Sequence, residues 1–214
     1  MGILKKRDIK AIEKEFEQLK NPVKLVYFTQ EMECQFCEQT RELLEDVVKI
    51  SDKLSLHVYD FVKDNDKALQ YGIDKIPALV IEGTKDHGIR FFGVPSGYEF
   101  TSLLSSIIEV SRGESGLSEK TKQLVKQIRT PMHIQVFVTP TCPYCPGAVI
   151  LAHKLALECD AIRGDMIEAI EFPHLAQKYS VMGVPKVVIN DEIEFEGALP
   201  EDMYVAQLMG ALKG

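Results

Sequence analysis

The spacing of hydrophobic and polar positions follows the same series of patterns in the two halves of the chain. In the first half, a helical segment with one polar face at 7–20 precedes the apolar run KLVYF at 24–28. In the second half, a similar segment at 118–129 precedes HIQVFV at 133–138. Helical spacing followed by a β-branched and aromatic run predicts a helix and then a strand. The pattern therefore predicts two copies of one unit.

Each copy continues with a long helix, a second strand, a short helix, a hairpin of two strands and a closing helix. Leaving out the short helix, these are predicted in the first copy at 34–50, 54–60, 77–83, 88–93 and 98–111. In the second copy they are predicted at 142–158, 165–171, 185–190, 192–197 and 201–213. Two parallel and two antiparallel strands with helices on the faces form a thioredoxin-like layout. The predicted fold class is α/β, with two tandem thioredoxin-like domains, each a four-stranded mixed sheet flanked by helices.

Fixed separations between matching residues support the duplication. From Cys34 to Cys142 the separation is 108 residues, and from Pro77 to Pro185 it is again 108. The segment SRGESGLS at 111–118 is rich in turn formers and is the predicted linker. We therefore expect one domain at 1–114 and a second at 115–214, each large enough to fold as a unit.

Composition and charge narrow the possible partners and locations. The formal net charge is -7, and the Lys and Arg residues are scattered, which argues against nucleic-acid binding. No apolar stretch is long enough to cross a membrane, and the amino-terminal segment lacks the apolar core of a secretory signal. We expect a cytoplasmic protein whose partners are proteins or small molecules.

The candidate chemistry lies in two C-x-x-C pairs, Cys34 with Cys37 and Cys142 with Cys145. A cysteine that opens a helix lies near unpaired backbone N–H groups and the positive end of the helix dipole, which lower its pKa. The second cysteine, three residues on, lies on the same side of the helix and can close a disulfide. The first cysteine is thus the predicted nucleophile, and the second resolves the mixed disulfide.

The surroundings of the two pairs differ. Pro143 fits the first turn of the second helix, and Tyr144 provides a flat apolar wall. The first pair encloses Gln35 and Phe36 and has three glutamates close by, at positions 31, 33 and 38. Because carboxylates oppose thiolate formation, we expect a higher thiol pKa at Cys34 than at Cys142.

Two other interpretations of the cysteines remain open. Four thiolates could bind a structural zinc ion, although 104 residues separate the pairs, which is far more than in zinc ribbons. Alternatively, the pair Cys34 and Cys37 could be a buried relic. The remaining cysteine, Cys159, lies in an apolar helical run and is expected to be a buried packing thiol.

With CPYC at 142–145, CQFC at 34–37 and the matching prolines, the chain resembles the protein disulfide oxidoreductases of thermophilic prokaryotes. These are glutaredoxin-like proteins with two thioredoxin folds in tandem. The resemblance implies cis peptide bonds before Pro77 and Pro185, and prolines that lie against the disulfides. It further implies that the backbone of Ile76 and of Val184 pairs with an extended substrate segment.

The chain departs from relatives of this fold at two places. Thioredoxins carry a buried acid six residues before the first cysteine, where this chain has Phe28 and Val136. Glutaredoxins carry a lysine before CPYC and a Gly-Gly-Asp-like stretch after the hairpin, and this chain has neither. Another group must therefore accept the proton of the resolving thiol, and glutathione is not the expected main partner.

The sequence thus predicts an enzyme, a thiol–disulfide oxidoreductase that forms, reduces or isomerises protein disulfides through two C-x-x-C centres. Its predicted catalytic residues are the four paired cysteines, and Ile76, Pro77, Val184, Pro185, Phe36 and Tyr144 are the predicted substrate-binding residues. No cofactor or metal is expected, and the partners are protein disulfides or dithiols and a thioredoxin-reductase-like flavoprotein. The alternatives are an electron relay between a flavin disulfide reductase and a peroxidase, and a zinc-binding or chaperone-like module without turnover.

Overall fold

The computed structural model describes residues 3–212, which form eight strands and eight helices. The helices are α1 Lys6–Phe16, α2 Cys37–Val48, α3 Asn65–Tyr71, α4 Glu99–Arg112, α5 Glu119–Val125, α6 Cys145–Glu158, α7 Pro173–Lys178 and α8 Glu201–Gly210. The strands are β1 Val23–Thr29, β2 Leu54–Asp60, β3 Ala78–Glu82, β4 Asp86–Phe92, β5 Met132–Val138, β6 Ile162–Glu168, β7 Lys186–Ile189 and β8 Ile193–Glu196. The duplicated order of elements confirms the fold class expected from the sequence.

The two sets of four strands are joined into one eight-stranded sheet with the order β2-β1-β3-β4-β6-β5-β7-β8. Each half pairs two strands in parallel and adds an antiparallel hairpin. The halves meet where β4 pairs in parallel with β6, from Ile89 opposite Gly164 to Phe92 opposite Ile167. Neither β4 nor β6 is therefore an exposed edge.

Strands β1 and β5 point in the same direction, which decides where the cysteine pairs lie. Strand β1 is antiparallel to β3, and β3 is antiparallel to β4. Strand β4 is in turn parallel to β6, and β6 to β5. Each cysteine pair follows the carboxyl end of β1 or β5. Both pairs therefore lie on the same side of the sheet, where these parallel strands end.

Apolar residues cover both faces of the sheet. The larger core lies under α1, α2, α4, α5, α6 and α8 and includes Tyr27, Leu103 and Leu155. The smaller core lies under α3 and α7 and includes Phe28, Phe92 and Phe137. Alternate strand residues enter opposite cores, as the pleat requires.

Several predicted boundaries are wrong. Helices α2 and α6 begin at the second cysteine of each pair, three residues later than expected. In the second copy, Pro143 disfavours helical backbone at Cys142, the residue before it. Strand β6 begins at Ile162 and ends at Glu168, whereas the sequence predicted 165–171.

The segment predicted as a linker joins α4 to α5, but it is held in place by hydrogen bonds. The Ser111 hydroxyl accepts the backbone N–H groups of Lys20 and Asn21 at 2.9 and 3.1 Å. The Ser115 hydroxyl donates to Glu158 at 2.6 Å. The connection is thus packed against both halves, and the proposed domain boundary at 114/115 remains a prediction.

Within residues 3–212, none of the helices has the length and apolar character needed to span a bilayer.

Candidate redox site

Each predicted cysteine pair forms a disulfide at the start of a helix. Cys34 is bonded to Cys37 with 5.4 Å between the Cα atoms, and Cys142 to Cys145 with 5.6 Å. In both pairs the first cysteine lies in the loop that follows the strand, and the second is the first residue of the helix. The structure thus brings together the cysteines that the motif predicted, with the predicted nucleophile just ahead of the helix.

The sulfur of Cys142 is surrounded by backbone groups. The N–H of Cys145 donates to the Cys142 Sγ at 3.1 Å, and this sulfur lies 3.7 Å from the carbonyl oxygen of Val184. An N–H from the first turn of a helix stabilises negative charge on a sulfur. Cys142 is 8% exposed and Cys145 is fully buried, so an attacking group reaches Cys142 first.

The first pair is more open. Cys34 is half-buried and Cys37 is 3% exposed. The Tyr27 hydroxyl donates to the carbonyl oxygen of Cys37 at 2.7 Å, which anchors the start of α2 to β1. Glu31, Glu33 and Glu38 are all exposed, and Glu38 lies in the first turn of the helix.

Both predicted proline bonds are cis, Ile76–Pro77 and Val184–Pro185. Pro77 and Pro185 are buried, whereas Ile76 and Val184 are half-buried at the surface. In the second copy this loop lies against the disulfide, as the distance from Cys142 to Val184 shows. In the second copy, the chain just before the cis proline therefore presents backbone groups beside a cysteine pair.

The two predicted aromatic walls differ in exposure. Phe36 is half-buried, and Tyr144 is 72% exposed. Each is the residue that directly precedes the second cysteine of its pair. The rim of the second site consequently offers much more aromatic surface to a partner.

Phe28 and Val136, which stand six residues before the first cysteine of each pair, are not structurally equivalent. Phe28 lies in the smaller core and Val136 in the larger one. The reason is one extra residue between β1 and Cys34, in the segment where Glu33 has a positive φ of 59°. The residue that matches Val136 is Tyr27, and neither provides a carboxylate.

A buried carboxylate of the first half, Glu99, lies at the start of α4, a helix that packs against α6. Helices α4 and α6 run side by side in the same direction, because Ser106 Oγ lies 2.9 Å from His153 Nδ1 and the N–H of Tyr98 donates to the carbonyl of Pro140 at 3.0 Å. Two helical turns before Ser106 and His153 are Glu99 and Pro146, so Glu99 lies level with the first turn of α6.

The surroundings of Glu99 favour its protonated form. It is 1% exposed, and its Oε2 accepts the Ser102 hydroxyl at 2.6 Å, while its Oε1 has no hydrogen-bond partner within residues 3–212. Burial raises the pKa of Glu99 to about 7. Sequence reasoning missed this residue because its link to the second cysteine pair depends on helix packing between the halves.

Two more carboxylates lie where the halves meet, Glu168, which is buried, and Glu171, which is half-buried. Glu171 accepts the N–H of Val94 at 2.7 Å, and Glu168 accepts the N–H of Glu171 at 2.7 Å. Burial raises the pKa of both groups, to about 7 for Glu171, and the neighbouring charge of Glu168 adds to the effect on Glu171. These carboxylates occupy the edge of the sheet between the two cysteine pairs.

The structure also bears on Cys159 and on the interpretation of the cysteines as a zinc site. Cys159 is a free, buried thiol, as predicted. Within residues 3–212, no group of three or more His, Cys, Asp or Glu side chains is arranged to hold a metal ion.

Comparison with known proteins agrees with this geometry. A family model described as the thioredoxin domain matches residues 23–105 and again residues 132–210. The crystal structure of a protein disulfide oxidoreductase from Aeropyrum pernix K1 is 31% identical, with a TM-score of 0.89 over 94% of this chain and 90% of that one. The alkylhydroperoxide reductase AhpF from Enterococcus faecalis has a TM-score of 0.88 over 95% of this chain and 98% of that one at 24% identity, which shows the shared fold.

Among curated relatives, the alkyl hydroperoxide reductase AhpF of Xanthomonas campestris pv. phaseoli is 28% identical over 167 residues. NADH dehydrogenase of Bacillus subtilis (strain 168) is 23% identical over 167 residues. In both cases the match covers 78% of this chain and 30% of the relative's length. Since the thioredoxin-domain model matches both halves, the chain belongs to the thioredoxin-domain family as a tandem member with a C-x-x-C disulfide in each copy.

Proposed function

We propose that the protein is a thiol–disulfide oxidoreductase that acts on protein disulfides through both C-x-x-C centres. The observation that carries the proposal is a disulfide at a helix start in each copy, with a chain segment before a cis proline in each as well. The similarity to a protein disulfide oxidoreductase of nearly equal length supports it.

In the reducing direction, the Cys142 thiolate attacks one sulfur of the substrate disulfide and displaces the other as a thiolate, which takes up a proton. Cys145 then loses its proton and attacks the Cys142 sulfur of the mixed disulfide. The substrate leaves with both thiols, and the protein keeps the disulfide, so two electrons and two protons pass to the substrate. Cys34 and Cys37 carry out the same exchange in the first copy, and oxidation of a substrate reverses these steps.

Glu99 is the proposed acceptor of the Cys145 proton. Its pKa of about 7 leaves a substantial fraction able to accept a proton at neutral pH, and it lies level with the first turn of α6. The first half of the chain thereby completes the second site.

Substrate binding is assigned to the predicted residues at each site. The half-buried segments at Ile76 and Val184 would pair with an extended substrate backbone, while Phe36 and Tyr144 contact its side chains. The proposed partners are proteins with disulfides or dithiols, together with a thioredoxin-reductase-like flavoprotein that supplies electrons. The proposed location is the cytoplasm.

An electron relay is the second candidate, favoured by the similarity to the alkyl hydroperoxide reductase AhpF. A relay needs one live C-x-x-C pair, whereas this chain has two. The presence of two pairs is the reason for placing the general enzyme first.

The deciding experiment is a redox titration in dithiol buffers of stepped potential, followed by thiol alkylation and mass spectrometry of the peptides around Cys34 and Cys142. Two pairs that open and close reversibly support the proposed enzyme. Titration of Cys142 and Cys145 alone would favour the relay. Activity of Cys34→Ser/Cys37→Ser and of Cys142→Ser/Cys145→Ser on a protein disulfide then assigns turnover to each site.

A further inference from the structure

The two redox sites face partners through different surfaces. A groove of about 690 Å³ opens beside Cys34, between α2, the end of β2 and the loop after β1. Its charged residues are Glu31, Glu38, Glu42, Glu45, Asp60, Asp64, Arg41 and Lys63. Six carboxylates against two cations give the groove a net charge of −4.

Ion pairs leave the excess negative charge concentrated on four side chains. Arg41 pairs with Glu45 at 2.8 Å, and Lys63 pairs with Asp60 at 3.5 Å. No ion pair within residues 3–212 involves the remaining four carboxylates, which are Glu31, Glu38, Glu42 and Asp64. The disulfide and the unpaired charge therefore share one groove.

The second copy provides an internal comparison. Counted 108 residues on from the six carboxylates of the groove, it has only one carboxylate, Glu168 in place of Asp60. The other five positions are Thr139, Pro146, Ile150, His153 and Phe172. Large apolar side chains are exposed in the segments around its disulfide, at Tyr98, Tyr144, Ile170 and Met182, with exposures of 51, 72, 68 and 91%. At the first site, Met32, two residues before Cys34, is 76% exposed. Most of the negative charge in the groove is thus specific to the first site and is not a property of the repeated fold.

We propose that the groove at Cys34 binds a positively charged polypeptide segment, so that the first site exchanges disulfides preferentially with cysteines flanked by Lys and Arg. The inference rests on the proposed function and adds a partner class to one of its two sites. A negatively charged groove raises the local concentration of a basic segment and speeds its association. The same field repels nucleic acids and acidic segments.

Covalent chemistry makes this preference measurable. Cys34 is half-buried and lines the groove, so a segment bound there presents its disulfide to the attacking sulfur. The exchange transfers two electrons and two protons from Cys34 and Cys37 to the peptide disulfide, as in the proposed reaction. A faster encounter with a basic peptide appears directly in the rate of this transfer.

The test uses the full chain with Cys142→Ser/Cys145→Ser, prereduced and then freed of reductant. Single-turnover rates are measured by acid quenching with three peptide disulfides, which differ only in flanking Lys, Ser or Asp residues. At an ionic strength of about 10 mM, where charges act over about 30 Å, we expect the Lys peptide to react about tenfold faster than the Asp peptide. At about 1 M salt, where the screening length is about 3 Å, the difference should fall to about twofold.

Matched variants distinguish the effect of the carboxylates in the groove from the effect of the net charge of the protein. Glu38→Gln/Glu42→Gln removes two unpaired carboxylates from the groove, and Glu13→Gln/Glu17→Gln removes two exposed carboxylates from the region of α1. The first variant should lose most of the preference for the Lys peptide, and the second should keep it. The second site, measured in Cys34→Ser/Cys37→Ser, should show no preference by charge.

The outcomes distinguish this inference from the proposed function. Equal rates for the Lys and Asp peptides at low salt, alongside normal reduction of the Ser peptide, would overturn the groove assignment and leave the enzyme intact. The same holds if both glutamine variants lose the preference equally. Failure of the first site to reduce any of the peptides would overturn both.

Discussion

Glu99 owes its unusual environment to its position between the two halves. Its carboxyl group is buried at the start of α4 and has one oxygen without a partner within residues 3–212. The cysteines and prolines of both sites could be predicted from the sequence, because motif spacing depends on chain-local geometry. Glu99 could not, since only the pairing of α4 with α6 places it near Cys145.

Replacing Glu99 with Gln should slow the second site and leave the first unchanged. Without the carboxylate, Cys145 loses its proposed proton acceptor, and we expect the resolving step at pH 7 to slow by about a hundredfold. The measurement is single-turnover reduction of a peptide disulfide by each double-serine variant. An unchanged second-site rate and pH profile would remove Glu99 from the mechanism.

The same residue should make stability depend on pH. Its pKa is raised from 4.5 to about 7, so between these values the folded protein holds a proton that the unfolded chain has released. The contribution is fully present below pH 4.5 and is lost as pH rises through 7, by about 3 kcal/mol in total. Urea unfolding at pH 5 and pH 8 should show a smaller difference for Glu99→Gln than for the original chain. Glu17→Gln, at an exposed position, is the control and should show no such change.

At the scale of elements, the contact of the loop before α4 with the loop before α6 depends on a glycine. Gly97 has a φ of +60°, and a Cβ there would lie 2.2 Å from the carbonyl oxygen of Pro140. Gly113, which ends α4, has a φ of +67°, and a Cβ at that position would meet no atom within 4 Å. Both positions favour glycine, but only Gly97 lies against the second site.

These two glycines provide a matched pair of alanine variants. Gly113→Ala should cost about 1–2 kcal/mol, the strain of left-handed backbone. Gly97→Ala should cost more and should also slow the second site, because the loop that carries Cys142 must move away. Urea unfolding and single-turnover rates measure the two effects. Equal losses of stability with unchanged rates would show that this contact does not position the second site.

Sequence patterns located the elements better than their ends. Apolar spacing placed every core strand, yet α2 and α6 begin three residues later than the pattern predicts, at Cys37 and Cys145. In the second copy, Pro143 disfavours helical backbone at Cys142, which contributes to the later start. The extra residue before Cys34 likewise left no periodic signal, and only the strand register reveals it.

At the scale of the whole molecule, the joining of the two four-stranded units into one sheet could not be predicted from the sequence. The repeat predicted two sheets of four strands, and the parallel pairing of β4 with β6 depends on contacts between distant segments. Across this junction, His153 Nε2 lies 3.2 Å from the carbonyl oxygen of Arg90, and Arg163 donates to the carbonyl of Gly72 at 2.8 Å. The shared contacts tie the stability of each half to the other.

We therefore expect one cooperative unfolding transition for the whole chain. Calorimetry should give equal calorimetric and van't Hoff enthalpies, and circular dichroism should follow the same transition as alkylation of Cys159. Cys159 is suited to the second probe because it is buried in the folded protein. Two separate transitions would indicate that the halves unfold independently.

The common direction of β1 and β5 has a consequence for avidity. The two redox sites are four strand spacings apart on one sheet edge, which is about 19 Å. That span is too long for direct exchange between the two disulfides, but an extended chain covers it with about six residues. Under the proposed function, a substrate polypeptide bound at one site would meet the other at a high effective concentration, which would favour substrates with two cysteines spaced to reach both sites.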